Sequence, residues 1–264
     1  MKRHLILAAA AFALAACSDE PAPDNARSGV DEPAPQVIEE SSEQVVQAVP
    51  AEIKIDAPAG VYKVDPNHAS LHFSVTHLGV SNYVMRFTDF DVTVDLNPSD
   101  LQASSVKMTI DPASIRTDFS GDYKGTHPDS PFDTWDESLA KSEDFLNADA
   151  YPAITFTSTN VELSDEGTLR VTGDLELCGE TRPVTLDVSV VGSMYTHPLL
   201  GVGLVGFSAM GSFDRSDFGV THLLEPPLVG DTVTLYFEGE FLQEQQGAAP
   251  DEADAEIEQE DNQS

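Results

Sequence analysis

The sequence predicts an all-β protein, an antiparallel barrel or sandwich interrupted by one short helix. Three observations lead there. Nearly every segment between Gly60 and Gln243 alternates apolar and polar residues with period two. Only one segment carries a helical period. No strand–helix–strand spacing is present, so neighbouring strands must run antiparallel.

Leu71, Phe73 and Val75 alternate with His72, Ser74 and Thr76, and Val106, Met108 and Ile110 alternate with Lys107 and Thr109. The same pattern recurs at Ile154–Phe156, Leu169–Leu177, Val184–Val190 and Val233–Phe241. Between Phe87 and Phe90 the apolar phase moves from odd to even positions, which predicts a bulge or bend. The long runs, Tyr83 to Leu96 and Leu169 to Cys178, favour a barrel deep enough to hold a ligand. A packed interior would show the same periodicity.

The helical segment is Thr134–Leu146, which puts Trp135, Leu139, Ser142 and Leu146 on one face. Thr134 and Glu137 fit a capping box. Before it, Thr117–Asp133 has no periodicity and reads as a long loop. Cys178 ends a strand-like run, where a small half-buried side chain fits.

The chain opens with Lys2 and Arg3, an apolar run over residues 5–16, and an abrupt polar turn at Cys17-Ser18-Asp19-Glu20. That is the layout of a signal peptide, and the run is shorter than the roughly 20 residues a spanning helix needs. Leu14-Ala15-Ala16-Cys17 resembles the lipobox of bacterial lipoproteins, which implies cleavage before Cys17 and acylation of that residue. Ser18 after the cysteine implies, by the enterobacterial sorting rule, a periplasmic lipoprotein held at the outer membrane. Residues 17–59 are rich in Ala, Pro, Glu, Gln and Ser, and are expected to form a disordered tether with an end-to-end distance of roughly 35 Å. Residues 244–264 have the same acidic character, leaving 60–243 as the folded domain.

With 46 acidic and 13 basic residues, the formal net charge is −33. Nucleic acid is thereby excluded as a partner, because phosphate backbones are bound by clustered Lys and Arg. Anionic lipid surfaces are disfavoured for the same reason. If Cys17 is acylated, Cys178 has no intramolecular partner. His68, His72 and His77 are spaced too widely along a strand to share one ion, so no metal site is expected. The sequence contains no Gly-x-Ser-x-Gly elbow and no phosphate-cradling loop, and no catalytic residue is assigned.

The matching stretches Tyr62-Lys63-Val64-Asp65 with His68, Phe73-x-Val75-x-His77, Phe87-Thr88-Asp89-Phe90 and Tyr151-Pro152-Ala153-Ile154-Thr155-Phe156 carry a resemblance that continues through Gly173-Asp174-Leu175, Gly179-x-Thr181-x-Pro183-Val184 and Arg215–Val220. Over residues 61–242 their order resembles the YceI-like family of periplasmic proteins. The resemblance implies an extended lipocalin-like barrel with a helical insertion, often a homodimer, whose apolar tunnel holds a long-chain lipid such as a polyisoprenoid or an isoprenoid quinone. It implies no cofactor beyond such a lipid. Two departures, Met85 in place of the glycine before Arg86 and Asp136-Glu137-Ser138-Leu139 near the helix, bear on the shape of the tunnel mouth.

An apolar chain needs a long dry lining, and alternating strand positions supply it. Phe73, Val75, Phe87, Met108, Phe156, Leu175, Leu177, Leu186, Val188, Phe207 and Phe237 are the candidate lining, with Ala209 and Gly211 leaving room beside them. Simple filling of the barrel is the competing explanation. His77 falls in phase with Phe73 and Val75, where its imidazole could meet a quinone or phenol head group or be satisfied by a backbone carbonyl. Arg215 and Asp217 share a strand face and form a candidate mouth ion pair or head-group clamp. Three functions fit: a non-catalytic lipid carrier, an envelope interaction module with a filled barrel, and a quinone-dependent redox accessory.

Overall fold

Period-two alternation becomes ten antiparallel strands in the computed structural model, which describes residues 53–225 and 228–245. The assignments on residues 1–52 and 246–264, including the signal peptide, Cys17 and the acidic tail, lie outside the described residues. In chain order the strands are β1 (Gly60–His77), β2 (Ser81–Phe87), β3 (Phe90–Leu96), β4 (Ser105–Ile110), β5 (Ile115–Arg116), β6 (Ile154–Leu163), β7 (Leu169–Leu177), β8 (Glu180–Met194), β9 (Leu204–Asp214) and β10 (Val229–Gln243). Two helices, α1 (Tyr123–Thr126) and α2 (Trp135–Lys141), lie between β5 and β6. Each strand pairs with its neighbours and β10 returns to β1, so the sheet closes into a barrel and exposes no continuous edge.

Ten strands make only eight staves. β1 is long enough to pair with β2 along Leu71–His77 and with β3 along Gly60–Lys63, so β2 and β3 lie end to end on one line. β5 and β4 lie end to end on the next, pairing with β2 and β3 respectively. The run read as one strand from Tyr83 to Leu96 is therefore broken at Thr88-Asp89, where the apolar phase shifts. Buried Ser114 holds the break: its Oγ accepts from the backbone N–H of both Thr88 and Asp89. Because of the shift, Met85 and Phe87 before the break and Val92 and Val94 after it all face inward.

β1 has its own irregularity. Against β10 its register jumps from Val64↔Phe241 to Ala69↔Gly239, so Pro66, Asn67 and His68 bulge out. Asp65 secures the bulge, accepting from Asn67 N–H at 2.9 Å and contacting His68 Nδ1 at 2.8 Å. That hydrogen bond raises the His68 pKa, and the imidazole together with the Asn67 amide lowers that of Asp65. The imidazole's contribution is complete below the unfolded histidine value and lost as pH rises through the raised one. The carboxylate's contribution is lost as pH falls through its lowered value, so the bulge is held most firmly between the two. In an NMR titration His68 is expected to titrate above the ordinary value of about 6.5, and Asp65→Asn to return it there.

The boundary expected at Gly60 lies further upstream. Ile53 and Ile55 pack on the core, Ala57 is buried, and Tyr62 Oη donates to Pro58 O at 2.7 Å. Burial pushes the Tyr62 phenol up to about 12, with a smaller push from Tyr195. Ile53, Ile55 and Ala57 alternate with Lys54 and Asp56, a strand-like signal hidden by the Ala- and Pro-rich stretch around it. β8 runs past its last pairing with β7 at Val188, and there Asp56 N–H donates to Ser193 Oγ. The upstream segment thus covers what would be an open strand edge. At the other terminus Glu244 N–H donates to Val61 O, so pairing outlasts the expected end at Gln243 by one residue.

β7 and β8 are joined by Cys178-Gly179, with φ of 51° and 79°. Positive φ at both central residues is the two-residue hairpin turn whose twist matches the strands. Cys178 is thus a turn residue rather than the end of a strand. Its Sγ lies 3.5 Å from Phe145 O, and burial pushes the thiol pKa up. A Cβ on Gly179 would stand 2.8 Å from Tyr151 Cε1. Gly179→Ala is therefore expected to destabilise the protein by about 1–3 kcal/mol, measured as a lowered urea midpoint.

α2 is shorter than its apolar face predicts, since Ser142 is extended and ends it. Its start follows expectation: Thr134 Oγ1 accepts from Glu137 N–H, while the Glu137 carboxylate accepts from Asp133 N–H. The stretch expected as plain loop contains α1, a single turn whose Asp122 side chain accepts from Gly125 N–H.

Candidate functional site: an apolar interior cavity

The inward side chains of all eight staves do not fill the barrel. They surround a cavity of about 330 Å³, within the span of roughly 300–1,000 Å³ typical of small-molecule sites. Its lining follows β7 from Leu169 at one end to Leu177 at the other, eight residue steps that amount to about 26 Å of strand. The walls are aliphatic and aromatic almost throughout. Ring pairs stiffen them: Phe73 stacks on Phe87 at 5.2 Å, Phe90 meets Phe237 edge-on at 6.1 Å, and Phe207 meets Phe241 at 5.5 Å.

Every residue expected in the lining is there: Phe73, Val75, His77, Phe87, Met108, Phe156, Leu175, Leu177, Leu186, Val188, Phe207 and Phe237. Ala209 also faces the cavity. Gly211 does not leave the free room expected of it. A Cβ there would meet Leu186 Cδ2 at 2.6 Å, so the glycine seats a leucine. Gly173 does the same for Phe156, whose Cζ would lie 2.5 Å from an added Cβ. These two glycines let large side chains lie flat against the wall, which widens the tunnel elsewhere. Met85, the departure from the family glycine, is buried and lines the cavity opposite Phe73.

The two ends differ chemically. At one, β1 ends in His77, whose imidazole stacks on Tyr83 with centroids 4.5 Å apart and planes 10° from parallel. Among the described residues no hydrogen bond occupies its ring nitrogens, so the expected alternative of a satisfying backbone carbonyl is not realised. Tyr83 in turn meets Phe119 at 5.0 Å. Trp135, Leu139, Phe145 and Leu146 from the excursion between β5 and β6, and Val220 and Leu223 from the β9–β10 connection, complete this end. Leu146 reaches it although α2 has ended, because the chain folds back and Leu146 N–H donates to Leu139 O. At the other end Ser104 is the polar residue in the lining, beside Leu101 and Val106.

Arg215 borders the cavity at the His77 end, but not as half of the expected ion pair. Arg215 and Asp217 sit in a short 3-10 turn, Arg215–Phe218, rather than on a strand face. Among the described residues no ion pair joins them, and Asp217 is exposed. The buried guanidinium donates instead to three carbonyls: Gly230 at 2.9 Å, Val220 at 3.0 Å and Val229 at 3.1 Å. Burial lowers its pKa, partly offset by the nearby Asp231 carboxylate. Its role is to tie the β9–β10 connection to the first residues of β10.

The three histidines of the first strand are dispersed. His68 is held by Asp65 in the bulge, His72 pairs across the sheet with Arg86 and Tyr236, and His77 turns to the cavity. Among the described residues no cluster of His, Cys, Asp or Glu could hold a metal ion.

Sequence reasoning missed the lining contributed outside the strands, above all Phe119, Phe145, Val220 and Leu223. Phe119, Val220 and Leu223 stand in non-periodic segments, and Phe145 lies off the apolar face of the helical one. The one available signal, the apolar face of Trp135, Leu139 and Leu146, did point at the cavity.

Comparison with known proteins agrees with this architecture. A family described as the YceI-like domain matches residues 62–241. Protein YceI of Escherichia coli O6:H1 is 35% identical over 172 residues, 64% of this chain and 81% of its own length. The UPF0312 protein of Shewanella denitrificans is 34% identical over 183 residues, 69% of this chain and 87% of its own. Among solved structures, Burkholderia cenocepacia BcnA has the same fold, with a TM-score of 0.54 at 22% identity, covering 67% of this chain and 98% of its own. The YCEI protein of Campylobacter jejuni gives a TM-score of 0.51 at 27% identity, covering 64% of this chain and 90% of its own. With its closed eight-stave barrel and a domain match spanning nearly the whole of it, this chain belongs to the YceI-like family.

Proposed function

We propose that this protein is a membrane-tethered periplasmic carrier of a long-chain isoprenoid-type lipid, acting by binding alone. The observation that carries the reading is the cavity: an apolar bore running the length of a closed barrel, too narrow for a folded partner and well matched to an extended chain. A filled barrel serving only as an interaction module would have no use for that bore.

His77 favours a ligand with a polar head. Its ring nitrogens, without a hydrogen-bond partner among the described residues, and its stacked partner Tyr83 stand at one end of the tunnel, where a quinone carbonyl would accept a hydrogen bond while the isoprenoid tail lay among the aromatic walls. The tether is Cys17, lipidated on its thiol, freed by signal cleavage and acylated on its new amine, which holds the protein at the outer membrane. Two or more acyl chains hold a protein at a bilayer stably, where one holds it only reversibly.

Native mass spectrometry of the chain, followed by organic extraction of whatever it releases, tests the reading. A stoichiometric isoprenoid lipid or quinone is the expected result, and His77→Ala is expected to lose preference for the quinone over the head-less chain. An apo mass that persists after incubation with isoprenoid quinone would overturn the proposal. For the tether, Cys17→Ala should abolish palmitate labelling and release the protein from the membrane fraction.

A further inference from the structure

Exposed apolar side chains of this acidic protein gather at both ends of the barrel, Leu78 and Val80 at the β1–β2 turn beside His77 and a larger group at the opposite end. At the barrel end opposite His77, the tip formed by the close of β8 and its connection to β9 carries Val191, Met194, Tyr195, Leu199 and Leu200. All are exposed, Leu199 to 87% and Tyr195 to 61%. The connection is ordered rather than loose: His197 N–H donates to Val202 O, Gly201 N–H to His197 O, and the N–H groups of Leu199 and Leu200 to His197 Nδ1. The leucines are therefore held outward by a closed loop.

The larger group also stands in a stretch without charge. From Val188 to Phe213 the chain contains no Asp, Glu, Lys or Arg, in a protein of formal net charge −33. At its base Asp56 N–H donates to Ser193 Oγ, with Lys54 just upstream in the chain. An apolar tip on an acidic body is poorly suited to a basic protein, which would seek carboxylates. It suits an uncharged lipid surface, which requires only a few aliphatic anchors and an aromatic ring at head-group level. Ile53 packs on the core and Asp56 N–H bonds Ser193 at the base of the tip.

We infer that the β8–β9 tip is a membrane-docking element that inserts Tyr195, Leu199 and Leu200 into the head-group region of a bilayer whose surface carries little charge. The barrel then stands with this end on the membrane and the His77 end away from it. The inference goes beyond lipid carriage and needs no ligand in the cavity.

Tryptophan quenching by phosphatidylcholine brominated on its acyl chains tests it in the full chain, whose single native tryptophan, Trp135, gives the baseline. Tyr195→Trp should be quenched on phosphatidylcholine vesicles, and Val84→Trp, outward on the barrel wall, should not. Leu199→Asp with Leu200→Asp should bring the Tyr195→Trp signal down to the Val84→Trp level, at unchanged circular dichroism. Phosphatidylglycerol vesicles should weaken quenching at low salt, with recovery as salt screens the acidic body. Equal quenching at positions 195 and 84 would overturn the inference. So would aspartates that convert a dimer to a monomer in sedimentation while leaving quenching unaltered, since the tip would then be an interface between copies. Either failure leaves the cavity reading intact, because that reading rests on a bound mass.

Discussion

Ala209→Phe is expected to shorten the ligand this barrel can hold. Ala209 lies on β9 between Val188 and Phe237, and its methyl group faces the bore where the neighbouring positions carry large side chains. A phenyl ring at that point crosses the tunnel. Excluding five carbons of a bound chain forfeits about 4 kcal/mol at roughly 0.8 kcal/mol per buried methylene, close to a thousandfold in affinity. Added volume in a tight core costs roughly 1–3 kcal/mol, but here the ring enters open space, so the thermal midpoint should change little. The control is Met210→Phe, one residue along and exposed on the outer face. Titration with isoprenoid quinones of increasing length is the measurement. Affinity unchanged by Ala209→Phe for the longest of them would mean that the chain does not run past β9.

The second large effect concerns stability. Arg215→Ala removes three hydrogen bonds at once and leaves the carbonyls of Gly230, Val220 and Val229 without their donor at a residue that is only 6% exposed. At about 1 kcal/mol for each orphaned carbonyl, the loss should be roughly 3 kcal/mol, seen as a lower urea midpoint. Arg215→Lys should recover less than half, since an ammonium is a point donor and cannot span three acceptors held by a planar fork. Val229 pairs with His77, so the same substitution should loosen the His77 end and raise hydrogen exchange there. A loss below about 1 kcal/mol would mean that water replaces the guanidinium at these carbonyls.

How far each feature could be read in advance follows from how local its cause is. Alternation along a strand is set by the pleat, so the twelve lining residues could be named before any pairing was known. The phase shift at Phe87–Phe90 was legible for the same reason, although not that Ser114, some 25 residues on, would stitch it. The two-residue spacing of Arg215 and Asp217 is that of a strand face, whereas the chain turns into a 3-10 helix after Asp214. Gly211 marks small volume without saying which neighbour uses it. Ile53 to Ala57 give only three alternating residues inside a Pro- and Ala-rich stretch, too short a signal.

By itself the sequence determined the fold class, the inward face of each strand, the capped start of α2 and the acidic character of the chain. These depend on backbone periodicity and composition, which are properties of neighbouring residues. The tertiary structure decided that the sheet closes by pairing β1 with β10, that its interior stays open, that His77 meets no hydrogen-bond partner among the described residues, and that the uncharged β8–β9 connection stands at the end of the barrel away from His77. Each of those depends on residues far apart in the chain meeting at one place, where volume, hydrogen bonding and charge are settled by who arrives and not by what precedes or follows.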